Sequence, residues 1–134
     1  MLDHVSLGVS DIGRSRRFYD AALRPLGLVR IVDFRKGMGA DYGVAPGSTG
    51  VEFTITRESA PRPSAGAHLC FLAPDRAAVR AFHAAALAAG GRDDGLPGVR
   101  PHYHADYYGA FVLDPDGHRI EAVCHAPERP AVIP

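Results

Sequence analysis

Residues 4–23 read HVSLGVSDIGRSRRFYDAAL, and residues 68–87 read HLCFLAPDRAAVRAFHAAAL. A shift of 64 residues lays His4 on His68, Asp11 on Asp75, Arg16 on Arg80 and Phe18 on Phe82, then Ala21, Ala22 and Leu23 on Ala85, Ala86 and Leu87. Seven identities in these twenty positions stand well above the roughly one or two that chance supplies, so the chain is read as an internal repeat. Each copy opens with a short β-leaning apolar run, His4–Val9 or Ala67–Ala73. A helix-capping aspartate follows, Asp11 or Asp75. Apolar residues then recur at helical spacing: Phe18, Ala22 and Leu23 up to Pro25 and Gly27, and Val79, Phe82, Ala86 and Leu87 up to Gly90-Gly91.

Working outward, Leu28–Phe34, Met38–Val44 and Gly50–Thr56 read as three strands after the first helix. Gly91–Leu96, Tyr107–Leu113 and Arg119–Cys124 read as three after the second. The turn Asp114-Pro115-Asp116-Gly117 introduces the last strand with strong turn chemistry. Arg57–Ser64, with two prolines, links the halves. The expected order is βαβββ twice, in modules 1–58 and 66–126 of one domain spanning 1–134. The expected fold class is α+β, a curled mixed sheet around a cleft.

The composition agrees with one globular domain of 134 residues, 46% hydrophobic and 22% charged. Fifteen Lys+Arg balance fifteen Asp+Glu. Neither half carries the basic excess of a nucleic-acid binder or a polybasic membrane run. No apolar stretch approaches the ~18 residues of a membrane span. Two cysteines, Cys70 and Cys124, are too few for a disulfide framework, and Asp3 stands where a secretory signal carries positive charge. The expectation is a cytoplasmic protein with a small-molecule substrate and no nucleic-acid or membrane partner.

His4 and His68 open equivalent strands, and Glu52 and Glu121 lie in equivalent fourth strands, each acid flanked by apolar residues. A carboxylate inside an apolar strand is costly to bury unless it is paired or bound to a metal. Taken singly, the histidines read as strand-end residues and Glu52 as an exposed acid on an edge strand. Taken jointly, two imidazoles and two carboxylates placed by one repeat point to a divalent-metal site. The mixed N/O set suits Zn, Ni, Co, Mn or Fe better than Mg or Ca.

The doubled βαβββ pattern, the two strand-opening histidines and the segment Phe111-Val112-Leu113-Asp114-Pro115-Asp116-Gly117-His118-Arg119-Ile120-Glu121 resemble the glyoxalase, bleomycin-resistance and extradiol-dioxygenase superfamily, also called vicinal oxygen chelate. The resemblance runs from Leu2 to about His125. It implies one divalent transition metal held by His4, His68 and Glu121, with Glu52 as the fourth ligand of the glyoxalase I branch. It implies chemistry on two adjacent substrate oxygens, with Glu121 or Glu52 as the catalytic base, and commonly a homodimer. It leaves three other activities open: an Fe(II) extradiol-type dioxygenase, a metal-free drug-binding protein of the bleomycin-resistance type, and a thiol or epoxide transferase resembling the fosfomycin-resistance enzymes. Glyoxalase I enzymes typically carry Arg four residues after the first His and Asn four after the first Glu. Gly8 and Thr56 stand at those positions here, which argues against efficient lactoylglutathione lyase activity.

Pro101-His102-Tyr103-His104-Ala105-Asp106-Tyr107-Tyr108 gathers histidines and tyrosines before the seventh strand. Tyr103, His104, Tyr107 and Tyr108 are the candidate substrate-binding residues there, against the alternative of an aromatic loop packed over the sheet's end. Cys70 shares parity with His68, so it either lines the pocket or is a small buried apolar residue. His83 reads as structural, and His118 and His125 receive no role.

Overall fold

The computed structural model describes residues 1–45 and 50–132. The first module runs β1 (Val5–Val9), α1 (Ile12–Leu23), a 3-10 turn (Arg24–Leu26), β2 (Val29–Phe34), β3 (Gly39–Gly43) and β4 (Phe53–Arg57). The second runs β5 (Leu69–Leu72), α2 (Arg76–Ala88), β6 (Arg92–Val99), β7 (Tyr108–Leu113) and β8 (Arg119–Cys124). The expected βαβββ order is present twice, as two four-stranded mixed sheets ordered β1-β4-β3-β2 and β5-β8-β7-β6. In each, the first strand runs parallel to the fourth and the remaining pairs are antiparallel.

The expected caps form. Asp11 accepts from the Arg14 amide at 3.0 Å, and Asp75 from the Ala78 amide at 2.8 Å, satisfying amides that the first helical turn leaves without partners. Pro25 tightens the end of α1 into the 3-10 turn. Gly27 then closes that turn at φ +85°, its amide bonded to the Arg24 carbonyl. The edge strand β6 extends three residues past the expected Leu96. The ladder slips register around Gly95, and an edge position tolerates Pro97 because no neighbour needs its missing N–H.

Each helix covers one face of its own sheet, and α1 packs on α2, so the modules share one core. Phe18, Tyr19, Tyr42, Phe53 and Phe82 are its largest rings, and Phe53 meets Phe71 of the other module edge to face at 5.5 Å. Along β8, Ile120, Ala122 and Cys124 enter this core. Strand alternation therefore turns Glu121 to the opposite face.

The Asp114–Gly117 turn ties the modules together. Asp114, 1% exposed, accepts from the Tyr19 hydroxyl at 2.5 Å and from the amides of Asp116 and His118. Asp116 accepts from the amide and hydroxyl of Ser10, and His118 Nε2 donates to the Gly8 carbonyl at 2.8 Å. Removing the Asp114 carboxylate strands a buried hydroxyl and two turn amides. Asp114→Ala is expected to lower stability by about 2–3 kcal/mol, and Tyr19→Phe by about 1 kcal/mol. Urea titrations followed by circular dichroism measure both; equal losses would show that the turn amides contribute nothing.

Candidate functional site

The site is built on the faces of the two sheets that the helices leave uncovered. β5 and β8 run parallel with Cys70 opposite Glu121. His68, one residue before β5, and Cys70 therefore share a face with Glu121. The Glu121 side chain is almost wholly buried, and both its oxygens are engaged. His68 Nε2 donates to Oε1 at 3.0 Å and the Tyr107 hydroxyl donates to Oε2 at 2.5 Å. A Cβ at Gly109 would stand 3.1 Å from Oε2, so the absence of a side chain there leaves room for the carboxylate. Burying a charge is tolerable only with partners of this kind.

The neighbours of Glu121 titrate accordingly. Burial, then the hydrogen bond to Glu121, raises the Tyr107 phenol, which remains a neutral donor at physiological pH. Cys70 opens onto the cleft, yet its thiol is pushed up to about 12, first by desolvation and then by the negative charge of Glu121. It is a thiol and not a nucleophilic thiolate near neutral pH. Of the two readings its parity allowed, the pocket-lining one describes it.

In the first module His4 lies one residue before β1 and Glu52 one before β4. β1 begins one residue after the expected His4, and β4 begins three residues after the expected Gly50, leaving Glu52 outside the strand proper. The ladder itself continues to Glu52, whose amide donates to Tyr42 and whose carbonyl accepts from Val5. Both side chains are exposed, and His4 Nδ1 bonds Asp3 at 2.6 Å. His4 and Glu52 share a wall with Asp41, which accepts from the Thr54 hydroxyl at 2.6 Å. One open cleft of about 630 Å³ is lined by His4 and Glu52 on one side and by His68 and Cys70 on the other.

Of the four expected ligands, then, the structure joins His68 to Glu121 and sets His4 and Glu52 across the same cleft. Among the described residues, no three His, Cys, Asp or Glu side chains gather into a metal-holding group. The His68–Glu121 pair fits a metal by its chemistry and spacing. Two donors bonded to one cation at ~2.0–2.2 Å and near right angles lie about 3 Å apart.

The aromatic segment divides. Tyr107 reaches Glu121, and its ring packs on Tyr103 at 4.7 Å and on His104 at 5.6 Å. His104 Nε2 lies 2.8 Å from His125 Nδ1. With centroids 5.1 Å apart and planes 26° apart, this is an in-line N–H···N bond. The Asp106 amide, donating to His104 Nδ1, makes Nε2 the donor. Tyr108 turns to the helix side, where Arg76 and Arg80 lie over its ring. His83 is buried against Asp93 at 2.9 Å, a structural role as expected. Sequence reading passed over His118 and His125. Their partners Gly8 and His104 are distant in the chain, so no local pattern marks either contact.

Comparisons with known proteins place these features in context. The family model for the Glyoxalase/Bleomycin resistance protein/Dioxygenase superfamily matches residues 1–122. A glyoxalase/bleomycin resistance protein from Albidiferax ferrireducens is 35% identical, covers 97% of this chain and 99% of its own, and superposes with a TM-score of 0.79. A glyoxalase-related enzyme from Fulvimarina pelagi, 21% identical, covers 92% of this chain and 87% of its own at a TM-score of 0.70. Glyoxalase I from Zea mays, 23% identical, covers 92% of this chain and 46% of its own at 0.69. At these two lower identities the likeness is one of fold. The search of curated proteins gives no match. No helix among the described residues is long and apolar enough to cross a membrane.

Desolvation first and the charge of Glu121 second raise the Cys70 thiol, and with Cys124 buried Cys70 is the cysteine open to labelling. In chelator-treated protein at pH 8, Cys70 is expected to react with iodoacetamide at least about a hundredfold more slowly than a free thiol. Glu121→Gln removes the anion that opposes the thiolate, so the thiol pKa falls and labelling accelerates. Mass spectrometry of the labelled peptide over time checks this; unchanged kinetics in the variant would refute the coupling.

Proposed function

Because the chain belongs to the Glyoxalase/Bleomycin resistance protein/Dioxygenase superfamily, we propose that its cleft carries out a metal-dependent, glyoxalase-like reaction on a small substrate with two adjacent oxygens. The observation that carries this reading is the Glu121 carboxylate, 1% exposed and paired with His68 at 3.0 Å on the cleft wall. His68 and Glu121 would hold a divalent transition metal (Zn, Ni, Co, Mn or Fe), with His4 and Glu52 contributing from the facing wall. Such a cation supplies Lewis-acid stabilisation of negative charge developing on a substrate oxygen.

The chain's own residues divide the remaining work. Tyr107 donates to Glu121 Oε2 and fixes the carboxylate's orientation, the part an outer partner plays at a metal centre. Glu121, held on both oxygens, is poorly placed to move protons. Glu52 is exposed at the cleft, and its carboxylate has no hydrogen-bond or ion-pair partner among the described residues. We assign it the base that takes a proton from the substrate. The reading includes a homodimer. β1 and β5 are edge strands, and Leu2, Val44 and Leu72 beside the cleft are 83%, 67% and 70% exposed.

Metal analysis of protein purified without added metal tests the reading, with about one divalent ion per chain expected. Glu121→Ala is expected to lower metal affinity at least about tenfold, and Tyr107→Phe by about 10- to 100-fold. Glu52→Gln is expected to keep more of the metal than Glu121→Ala does and to lose turnover. A metal-free protein that still binds its ligand would instead favour sequestration of the bleomycin-resistance type.

The glutathione hemithioacetal of methylglyoxal is expected to be a poor substrate. A Cβ at Gly8 would stand 2.9 Å from Glu58 Cγ, so the strand has no space ready for the arginine of the glyoxalase I branch. Losing one charge-assisted contact costs about 1.5–3 kcal/mol, roughly ten- to a hundredfold in affinity. Steady-state assays with Ni, Co, Mn and Zn protein should give kcat/KM below ~10⁵ M⁻¹s⁻¹; a higher value refutes the expectation.

A further inference from the structure

We infer that a second, smaller pocket beside His68 is an anion-selecting subsite, and that the substrate carries a carboxylate on a short apolar stem. The inference rests on the proposed function for the identity of the reacting end of the cleft.

The pocket, about 250 Å³, opens between β1 and the start of β5. Leu7 and Leu69 contribute apolar walls, and Arg62, His118 and Arg119 its polar edge. His68 and Leu69 line both this pocket and the larger cleft, so the two adjoin at the start of β5. Among the described residues, no acidic side chain lines the pocket. The acids Asp3, Asp41 and Glu52 all lie at the other end, around His4. The surface is therefore polarised, with carboxylates around His4 and guanidiniums beyond His68.

Charge bookkeeping selects a monoanion. Arg119 already gives its Nε to Asp94 at 2.9 Å, so its positive charge is largely answered. Arg62 has no hydrogen-bond or ion-pair partner among the described residues. It belongs to the linker, whose Pro63 packs towards the Asp114–Gly117 turn, within 3.7 Å of where a Gly117 Cβ would stand. His118 spends Nε2 on the Gly8 carbonyl and holds β1 against this edge. One unanswered guanidinium above apolar walls fits a carboxylate with an aliphatic stem. Arg119 shares a face with Glu121, and two residues of strand span roughly 7 Å. An anion reaching this edge of the pocket from Arg119's side would lie about that far from Glu121.

Calorimetric titration with hexanoate, 1-hexanol and hexyl phosphate in low-salt buffer tests the subsite. Hexanoate is expected to bind at least about tenfold more tightly than hexanol. Arg62→Ala is expected to abolish that preference, Arg119→Gln to reduce it, and Arg129→Ala, outside the pocket, to leave it intact. Hexanoate should also shift the guanidinium NMR signals of Arg62 and Arg119. Equal affinity for hexanoate and hexanol overturns the proposal, as does a loss in Arg129→Ala matching that in Arg62→Ala. Hexyl phosphate binding more than tenfold tighter than hexanoate overturns the monoanion assignment. The same titrations on Glu121→Gln separate the two readings, since the preference should survive there. Wild-type protein that purifies without metal and still prefers hexanoate refutes the metal chemistry and sustains the subsite.

Discussion

The Asp114 carboxylate, buried between the two modules, takes three hydrogen bonds: one from Tyr19 of α1 and two from the amides of its own turn. The first closes a contact between residues 95 apart in sequence, and the others shape the turn that launches β8. Asp116 and His118 add bonds to Ser10 and Gly8 at the end of β1. This junction anchors the start of β8 and the end of β1. It fixes the direction of β8, hence the face on which Glu121 emerges, and it holds β1 beside the pocket that borders His68. Such a junction must be fully satisfied to be tolerable, because a half-paired buried carboxylate is worse than none.

From that junction the cleft acquires its polarity. Glu121 is buried on the face away from the helices, and its two oxygens are bonded by His68 and Tyr107. Desolvation, reinforced by the charge of Glu121, keeps the neighbouring Cys70 protonated. Beyond His68 the character reverses, with Arg62 and Arg119 above apolar walls. A ligand lying along this axis meets carboxylates and imidazoles at one end and guanidiniums at the other. Such a charge pattern would orient an anionic ligand by long-range attraction, as the proposed subsite requires.

Much of the fold is legible in the chain because its determinants are local. The capping pairs Asp11/Arg14 and Asp75/Ala78 and the turn at Asp114–Gly117 depend on residues within one turn of each other, and the 64-residue shift repeats that local pattern. Alternation along Arg119-Ile120-Glu121-Ala122 already separates a polar position from its core-facing neighbours. The same alternation puts Tyr107 and Tyr108 on opposite faces. Only the packing assigns one to Glu121 and the other to Arg76 and Arg80.

The sequence by itself determined the doubled module, the element types and the candidate residues His4, Glu52, His68 and Glu121, since period, capping and repeat are properties of neighbours. The tertiary structure decided which of those residues meet. It joins His68 to Glu121 through the parallel pairing of β5 with β8, and leaves His4 and Glu52 on the opposite wall. It also decided that Cys70 faces the cleft, that His125 bonds His104 and that Arg62 stands over a pocket beside His68. The physical reason is distance along the chain. A hydrogen bond or a shared cavity between segments tens of residues apart depends on how two sheets pack, and no local periodicity encodes that.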